Sequence, residues 1–233
     1  MSPFAACLQA ALDGDEEALL RIERDDGRTD TQPVADYLRD APTELETKVL
    51  DLATGRIVDV GCGAGRHVLR MQREGHDITG CDIDPALVAL CRARGCEKVA
   101  EADILAGDLG EDAWDTALLF GNNLGLGGNP EGTRRLLGAL RHALTPGGRV
   151  LFTSVDVTQT DNPTHLAYHQ RRRAEGRSPG ELTIRLSFAG CATAWFGWHH
   201  VSPEELGPLA AETGWRIERI CRGNSGPYAG ALS

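Results

Sequence analysis

The chain has 233 residues, 41% hydrophobic and 25% charged, with 24 basic and 34 acidic side chains and a formal net charge of −10. This length and balance suit an α/β domain with a sizeable core and exclude a disordered or fibrous chain, while the excess of acid repels polyanions and disfavours nucleic acid as a partner. Apolar runs fall far short of the ~20 residues of a membrane span, and seven irregularly spaced cysteines without a CxxC pair point to reduced thiols rather than a disulfide framework or a zinc site.

The opening "MSPFAACLQAALDGDEEALL" has no basic leader region, so no signal or transit peptide is expected and the cytoplasm is the expected location. Residues 1–55 are polar and helix-prone and are read as an N-terminal helical segment, with "RDDGRTDTQP" as an irregular break. Residues 56–233 are read as the main domain. Its first strand is "GRIVDV", rich in β-branched residues and ended by Gly61. A helix is expected over about 64–74. "HDITGCD" is the second strand, and Asp84 with Pro85 supplies an N-cap and a first-position proline for the next helix. "EKVAEAD" and "WDTALLF" are the third and fourth strands. "NPEGTRRLLGALRHAL" is a helix with Leu136, Leu137, Leu140 and Leu144 on one face, and "PGGRVLFTSV" is a turn and the fifth strand.

Alternation then stops over 156–201, which is read as an insertion on the substrate side. Within it, "TIRLSFAG" and "CATAWFGWHH" form an antiparallel pair across an Ala189-Gly190 turn. "SPEELGPLAAETG" resumes as a helix capped by Ser202 with Glu205 three residues on. "WRIERI" and "PYAGAL" complete the strands. Strand–helix alternation at this spacing predicts an α/β, doubly wound, Rossmann-like sheet of seven strands with N-terminal helices and an insertion after strand five.

In such a fold ligands sit beyond the carboxyl ends of the strands. The turn "VDVGCGAGRH", residues 58–67, places Gly61, Gly63 and Gly65 there, where the absence of a Cβ permits a sharp turn and close approach to a ligand. The dinucleotide fingerprint needs a glycine where Arg66 stands. The pattern is instead Asp-x-Gly-x-Gly-x-Gly beginning at Asp59 on the strand itself.

That pattern resembles motif I of the class I S-adenosylmethionine-dependent methyltransferases, and the resemblance continues in order through "ITGCDIDP", "AEADIL", "WDTALLFGNNLG" and "LRHALTPGGRVLFTS". It covers about 56–155 well and 202–233 more loosely. It implies S-adenosylmethionine as cofactor and S-adenosylhomocysteine as product. Asp59, Gly61, Cys62, Gly63 and Gly65 would line the turn, Cys62 through its backbone and Asp59 either directly or by holding the turn. Asp82 would take both ribose hydroxyls, since a carboxylate offers two acceptor oxygens, with Ile83 beside it. Asp103 would meet the adenine amino group and Ile104 pack on the ring. Asn122 would serve the cofactor and Asn123 the substrate, unless both merely satisfy backbone groups in a glycine-rich turn.

Methyl transfer needs a nucleophile held in line with the methyl group and, for some acceptors, a base. His165, Tyr168 and His169 share a face if "THLAYHQRRR" is a helix. His165 and His169 are candidate bases and Tyr168 a candidate substrate contact; the alternative is that they are packed or solvated. Trp195, Trp198 and His199 belong to the densest aromatic stretch of the chain and are candidate walls of an acceptor pocket, or a plain hydrophobic stripe. Tyr37 and its neighbours are expected to fold over the cofactor, and no metal site is expected. The reading is a methyltransferase acting on a small molecule of specialised metabolism, as a monomer or homodimer, without nucleic-acid or membrane partners. A nicotinamide-dependent oxidoreductase, a cofactor-binding regulator without methyl transfer, and a methyltransferase of peptide natural products remain as rivals.

Overall fold

The structure, a computed structural model, describes residues 1–233. Helix α1 (Pro3–Leu12) begins where Ser2 accepts the Ala5 N–H and proline takes the first position. The next residues depart from the helical expectation. Strands β1 (Leu19–Arg24) and β2 (Thr29–Pro33) form an antiparallel hairpin. Its turn is the presumed break: Asp26 receives both the Arg24 guanidinium and the Arg28 N–H, and Gly27 adopts φ 84°. An Asp-Gly pair between short strands is a hairpin signal, and residues 1–55 are therefore helical only in part. A 3-10 turn over Val34–Tyr37 follows, then α2 (Glu44–Leu50), started by a Thr43–Glu46 capping box.

Strand β3 (Arg56–Val60) is buried from its second residue onward. Helix α3 (Arg66–Arg73), β4 (Asp77–Asp82), α4 (Pro85–Ala93), β5 (Val99–Glu101) and β6 (Trp114–Leu119) follow, with Asp84 accepting the Ala86 N–H as the α4 cap. Helix α5 (Pro130–Ala143) is capped by Asn129 and buries Leu136, Leu137 and Leu140 completely. Leu144 leaves the expected helix and starts β7 (Leu144–Val155) instead, because the Pro-Gly-Gly turn is a bulge inside this strand, where the pairing with β6 slips between Trp114–Leu144 and Thr116–Arg149.

The insertion contains α6 (Pro163–Ala174), β8 (Glu181–Phe188), β9 (Cys191–Ala192) and β10 (Phe196–His199). Ala189 and Gly190, at φ 47° and 82°, make the expected two-residue turn between β8 and β9. Helix α7 (Pro203–Glu212) carries the Ser202–Glu205 capping box, and β11 (Ile217–Arg222) and β12 (Pro227–Leu232) pair antiparallel. One sheet has the order β11-β12-β7-β6-β3-β4-β5; β10-β8-β1-β2, with β9 on β8, form another. The seven-stranded sheet is the doubly wound one expected from the alternation. The β4–β5 and β6–β7 pairs are parallel, while β12 runs antiparallel to β7.

The chain divides into two compact units. The first comprises Met1–Pro42, Val58–Asp103 and Thr183–Phe196. Its core gathers Ala5, Cys7, Leu8, Leu20, Val34, Ala64, Leu87 and Leu90. The second comprises Thr43–Ile57, Ile104–Leu182 and Gly197–Ser233. There Phe152 meets Tyr228 edge to face at 5.8 Å, and Gly230 makes room for the Phe152 ring. Each buried leucine or phenylalanine contributes roughly 1.5–3 kcal/mol relative to exposure. No helix is long and apolar enough to cross a membrane.

Candidate active site

The glycine turn lies in the first unit. Gly61, Gly63 and Gly65 all take left-handed backbone, at φ 70°, 57° and 75°. The Gly61 and Cys62 N–H groups both donate to Cys81 O, which pins the start of the turn to β4. At Gly65 there is no room for a side chain: a Cβ would stand 2.5 Å from Cys96 Sγ. The Cys62 side chain turns inward, with Sγ 3.8 Å from Cys91 Sγ, so that only its backbone faces the turn. Cys91 in turn donates its thiol hydrogen to Gly63 O at 3.1 Å. Burial pushes the Cys81 thiol up to about 12. Cys91 and Cys96 are also raised, first by their hydrogen bonds to neighbouring thiols and then by burial.

Asp82 ends β4 beside this turn. Its Oδ2 accepts the Gly63 N–H and its Oδ1 the Asp84 N–H, each at 3.0 Å. Each oxygen keeps acceptor capacity for a hydroxyl. Burial raises the Asp82 carboxyl, and the two backbone donors oppose that rise. Ile83 is 66% exposed, an apolar side chain left uncovered next to a buried carboxylate. Asp59 is 2% exposed, and its Oδ2 has no hydrogen-bond partner, with His67 Nδ1 at 3.6 Å. Asp103 is half-buried at the end of this unit. Arg94 donates to Ala64 O in the turn and, at 3.3 Å, to Leu38 O, so one guanidinium ties the turn to the segment after Tyr37.

The second unit holds the remaining candidates. Ile104 is buried at 6% exposure. Asn122 adopts φ 67° after Gly121 at φ 68°, and its N–H donates to Thr153 Oγ1 at 3.3 Å. Asn123 opens a 3-10 turn over Asn123–Gly127. Trp198 lies directly on this turn: a Cβ on Gly125 would stand 2.5 Å from the indole. His199, fully buried, shares a 2.8 Å hydrogen bond with Thr133 Oγ1 and has Glu205 at 3.7 Å on its other nitrogen. It is enclosed in an internal polar network.

Helix α6 does carry His165, Tyr168 and His169, but unequally. His165 is half-buried, with Nδ1 3.4 Å from Thr160 Oγ1. Tyr168 and His169 are 2% and 3% exposed, and the Tyr168 hydroxyl accepts from the buried Arg172 at 2.9 Å. Trp195 belongs to the first unit, 43% exposed beneath the Arg185 guanidinium at 4.8 Å. Trp198 and His199 belong to the second unit. Nothing local in the sequence singles out Arg94 or Thr133, whose partners are remote in the chain, whereas the capping pattern points to Glu205.

The fold and the glycine turn define a Rossmann-like α/β protein of the kind that binds a nucleoside cofactor at the end of its first core strand. A family model described as a methyltransferase domain matches residues 57–148. Among solved structures, a SAM-dependent methyltransferase from Bacteroides fragilis in complex with S-adenosyl-L-homocysteine is similar over 100% of this chain and 94% of its own, at 25% identity and a TM-score of 0.85. A SAM-dependent methyltransferase from Methanosarcina mazei shares the fold at 16% identity and a TM-score of 0.63, over 79% of this chain and 95% of its own. A ubiquinone biosynthesis O-methyltransferase of Xanthomonas oryzae is 43% identical over 54 residues, which is 23% of each chain. This chain therefore spans less than a quarter of that curated relative. Residues 57–148 thus match a methyltransferase domain, and the chain as a whole is similar in fold to the Bacteroides SAM-dependent methyltransferase.

Proposed function

We propose that this chain transfers the methyl group of S-adenosylmethionine to a small-molecule acceptor of specialised metabolism, acting in the cytoplasm. The observation that carries the reading is Asp82: a buried carboxylate at the end of β4, fixed by the Gly63 and Asp84 amides, with an exposed isoleucine beside it. A carboxylate so held suits a ribose diol, and an uncovered Ile83 suits the face of an adenine. The unpartnered Asp59 Oδ2 fits a ligand amine or a water that completes the turn. The cofactor supplies an electrophilic methyl on a positively charged sulfur.

The protein's part is to hold and orient. Asp82 binds the ribose, while Asp103 and Ile104 take the adenine. The turn over 61–65, with its backbone alone facing outward, lets the methionine end approach closely. Asn122 serves the cofactor, and Asn123 orients the acceptor by hydrogen bonding. His165, the less buried of the two α6 histidines, takes the acceptor's proton when the acceptor carries one. The net charge of −10 disfavours a polyanionic acceptor. The Xanthomonas match covers too little of either chain to carry its role in ubiquinone biosynthesis over.

Calorimetric titration with S-adenosylmethionine, S-adenosylhomocysteine and NAD tests the reading. Micromolar binding of the first two and none of the third is expected. Binding of NAD alone overturns it.

A further inference from the structure

We propose that Trp198 is a positioning residue: with His199 it clamps the 123–127 turn and so holds the Asn122 side chain in the place from which it meets the cofactor. The proposal rests on the methyltransferase reading above and concerns the second unit alone.

The observations begin with a stretch of backbone that needs support. Gly121 and Asn122 both take left-handed conformations, at φ 68° and 67°, between β6 and the 3-10 turn. An asparagine in that region persists when its surroundings over-determine it. Within the turn, the Gly125 N–H donates to Asn122 O and the Gly128 N–H to Gly125 O, each at 2.8 Å. Three further elements close in from outside. From β7, Thr153 Oγ1 accepts the Asn122 N–H. From α5, a side chain on Gly132 would run into Gly127 O, so the turn and the helix start meet backbone to backbone. From β10, a Cβ on Gly197 would stand 2.9 Å from Gly128 O, and one on Gly125 would stand 2.5 Å from both Cε2 and Nε1 of Trp198. The indole fills the place that a side chain at 125 would need.

His199, next along β10, closes the ring. Its Nδ1 shares a 2.8 Å hydrogen bond with Thr133 Oγ1, and Thr133 lies beside Gly132 at the start of α5. Both residues are fully buried. Contacts therefore run from the turn to α5, from α5 to His199, and from Trp198 back to the turn. Interiors are close-packed, so a gap opened at one member is felt by the rest. The turn follows the carboxyl end of β6, the end where ligands of such sheets sit. Methyl transfer needs sulfur, methyl carbon and acceptor in line, and a misplacement of about 1 Å costs roughly a hundredfold in rate. Trp198 touches the turn at Gly125 and acts through Asn122, whose carbonyl Gly125 holds.

The experiment is calorimetric titration of the full chain with S-adenosylhomocysteine, for wild type, Trp198→Leu, Asn122→Gly and the double variant. Glycine keeps the left-handed backbone at 122 and removes the side chain. Each single substitution should weaken binding about threefold to tenfold. The double variant should stay within about twofold of the weaker single one, because the two residues act as a unit. Losses that multiply, or an unchanged affinity in either single variant, overturn the proposal and leave Trp198 a packing residue. Should Trp198→Leu not fold, Gly125→Ala disturbs the same contact from the turn side and must show the same coupling to Asn122→Gly. If the wild type binds neither S-adenosylmethionine nor S-adenosylhomocysteine, the methyltransferase reading falls, and this proposal with it.

Discussion

Asp82 accepts the Gly63 N–H at 3.0 Å, so one hydrogen bond joins the end of β4 to the middle of the glycine turn. The same carboxylate accepts Asp84 N–H on its other oxygen. Asp82→Asn changes no volume but turns one acceptor into a donor, which leaves one of the two amides facing an N–H. Hydrogen bonds to a charged group contribute about 1.5–3 kcal/mol each. S-adenosylmethionine affinity in the variant should fall about tenfold to a hundredfold by calorimetry. Wild-type affinity would refute the ribose assignment.

The left-handed Gly65 packs its missing side chain against Cys96. Gly65→Ala must both strain the backbone at φ 75° and displace a sulfur 2.5 Å from the new methyl group. The backbone part costs roughly 1–2 kcal/mol and the overpacking about 1–3 kcal/mol. Cys96→Ala removes most of the second, with Cys91 Sγ still 3.0 Å from the new methyl group. A double-mutant cycle by urea unfolding should therefore show positive coupling between Gly65→Ala and Cys96→Ala, with a residual loss from the backbone. Strict additivity would mean that the thiol yields freely.

These two relationships mark what the sequence could disclose. The alternation of β-branched runs and amphipathic helices fixes the order of the core strands, and the glycine spacing locates the cradle, because both are local patterns. The hairpin at β1 and β2 is not legible locally, because Leu19-Leu20 and the polar β2 lack a clear period of two and only the Asp-Gly turn marks it. Leu144 continues the helical leucine pattern, yet a bulge at Pro146-Gly147-Gly148 lets the strand begin before the turn. His199 reads as a site residue in a row of aromatics, yet its neighbours Thr133 and Glu205 come from the starts of two helices far away in sequence.

The seven thiols should differ sharply in reactivity. Cys191 is exposed and Cys221 half-buried; Cys7, Cys62, Cys81, Cys91 and Cys96 are buried. Burial holds Cys7 at about 11 and Cys81 at about 12, so neither offers much thiolate near neutrality. In a disulfide-exchange titration of the native chain at pH 8, Cys191 should react first and Cys221 next, with the buried five appearing only on denaturation. Fast native labelling of Cys91, found by peptide mapping, would mean that the glycine turn opens readily.

Acid should destabilise the second unit in two windows. His200, with Nδ1 covered and unpartnered, is held neutral and pulled down to about 4, first by burial and then by His199. A base that protonates more easily unfolded than folded adds stability above its free value of 6.5 and loses it as pH falls toward 4. Glu205 behaves differently. Burial pushes its carboxyl upward, but His199, Ser178 and Ser202 together outweigh that and hold it at about 2. Its contribution is complete above the free value of 4.5 and disappears as pH falls toward 2. Stability measured by urea unfolding should therefore decline from pH 6.5 downward and steepen below 4.5. His200→Gln should flatten the upper window and leave the lower. Glu205→Gln should cost about 1–3 kcal/mol at pH 7 and flatten the lower window, because the amide neither titrates nor receives a charge-assisted bond. If both variants keep the wild-type pH profile, His200 and Glu205 contribute nothing to the acid sensitivity of the fold.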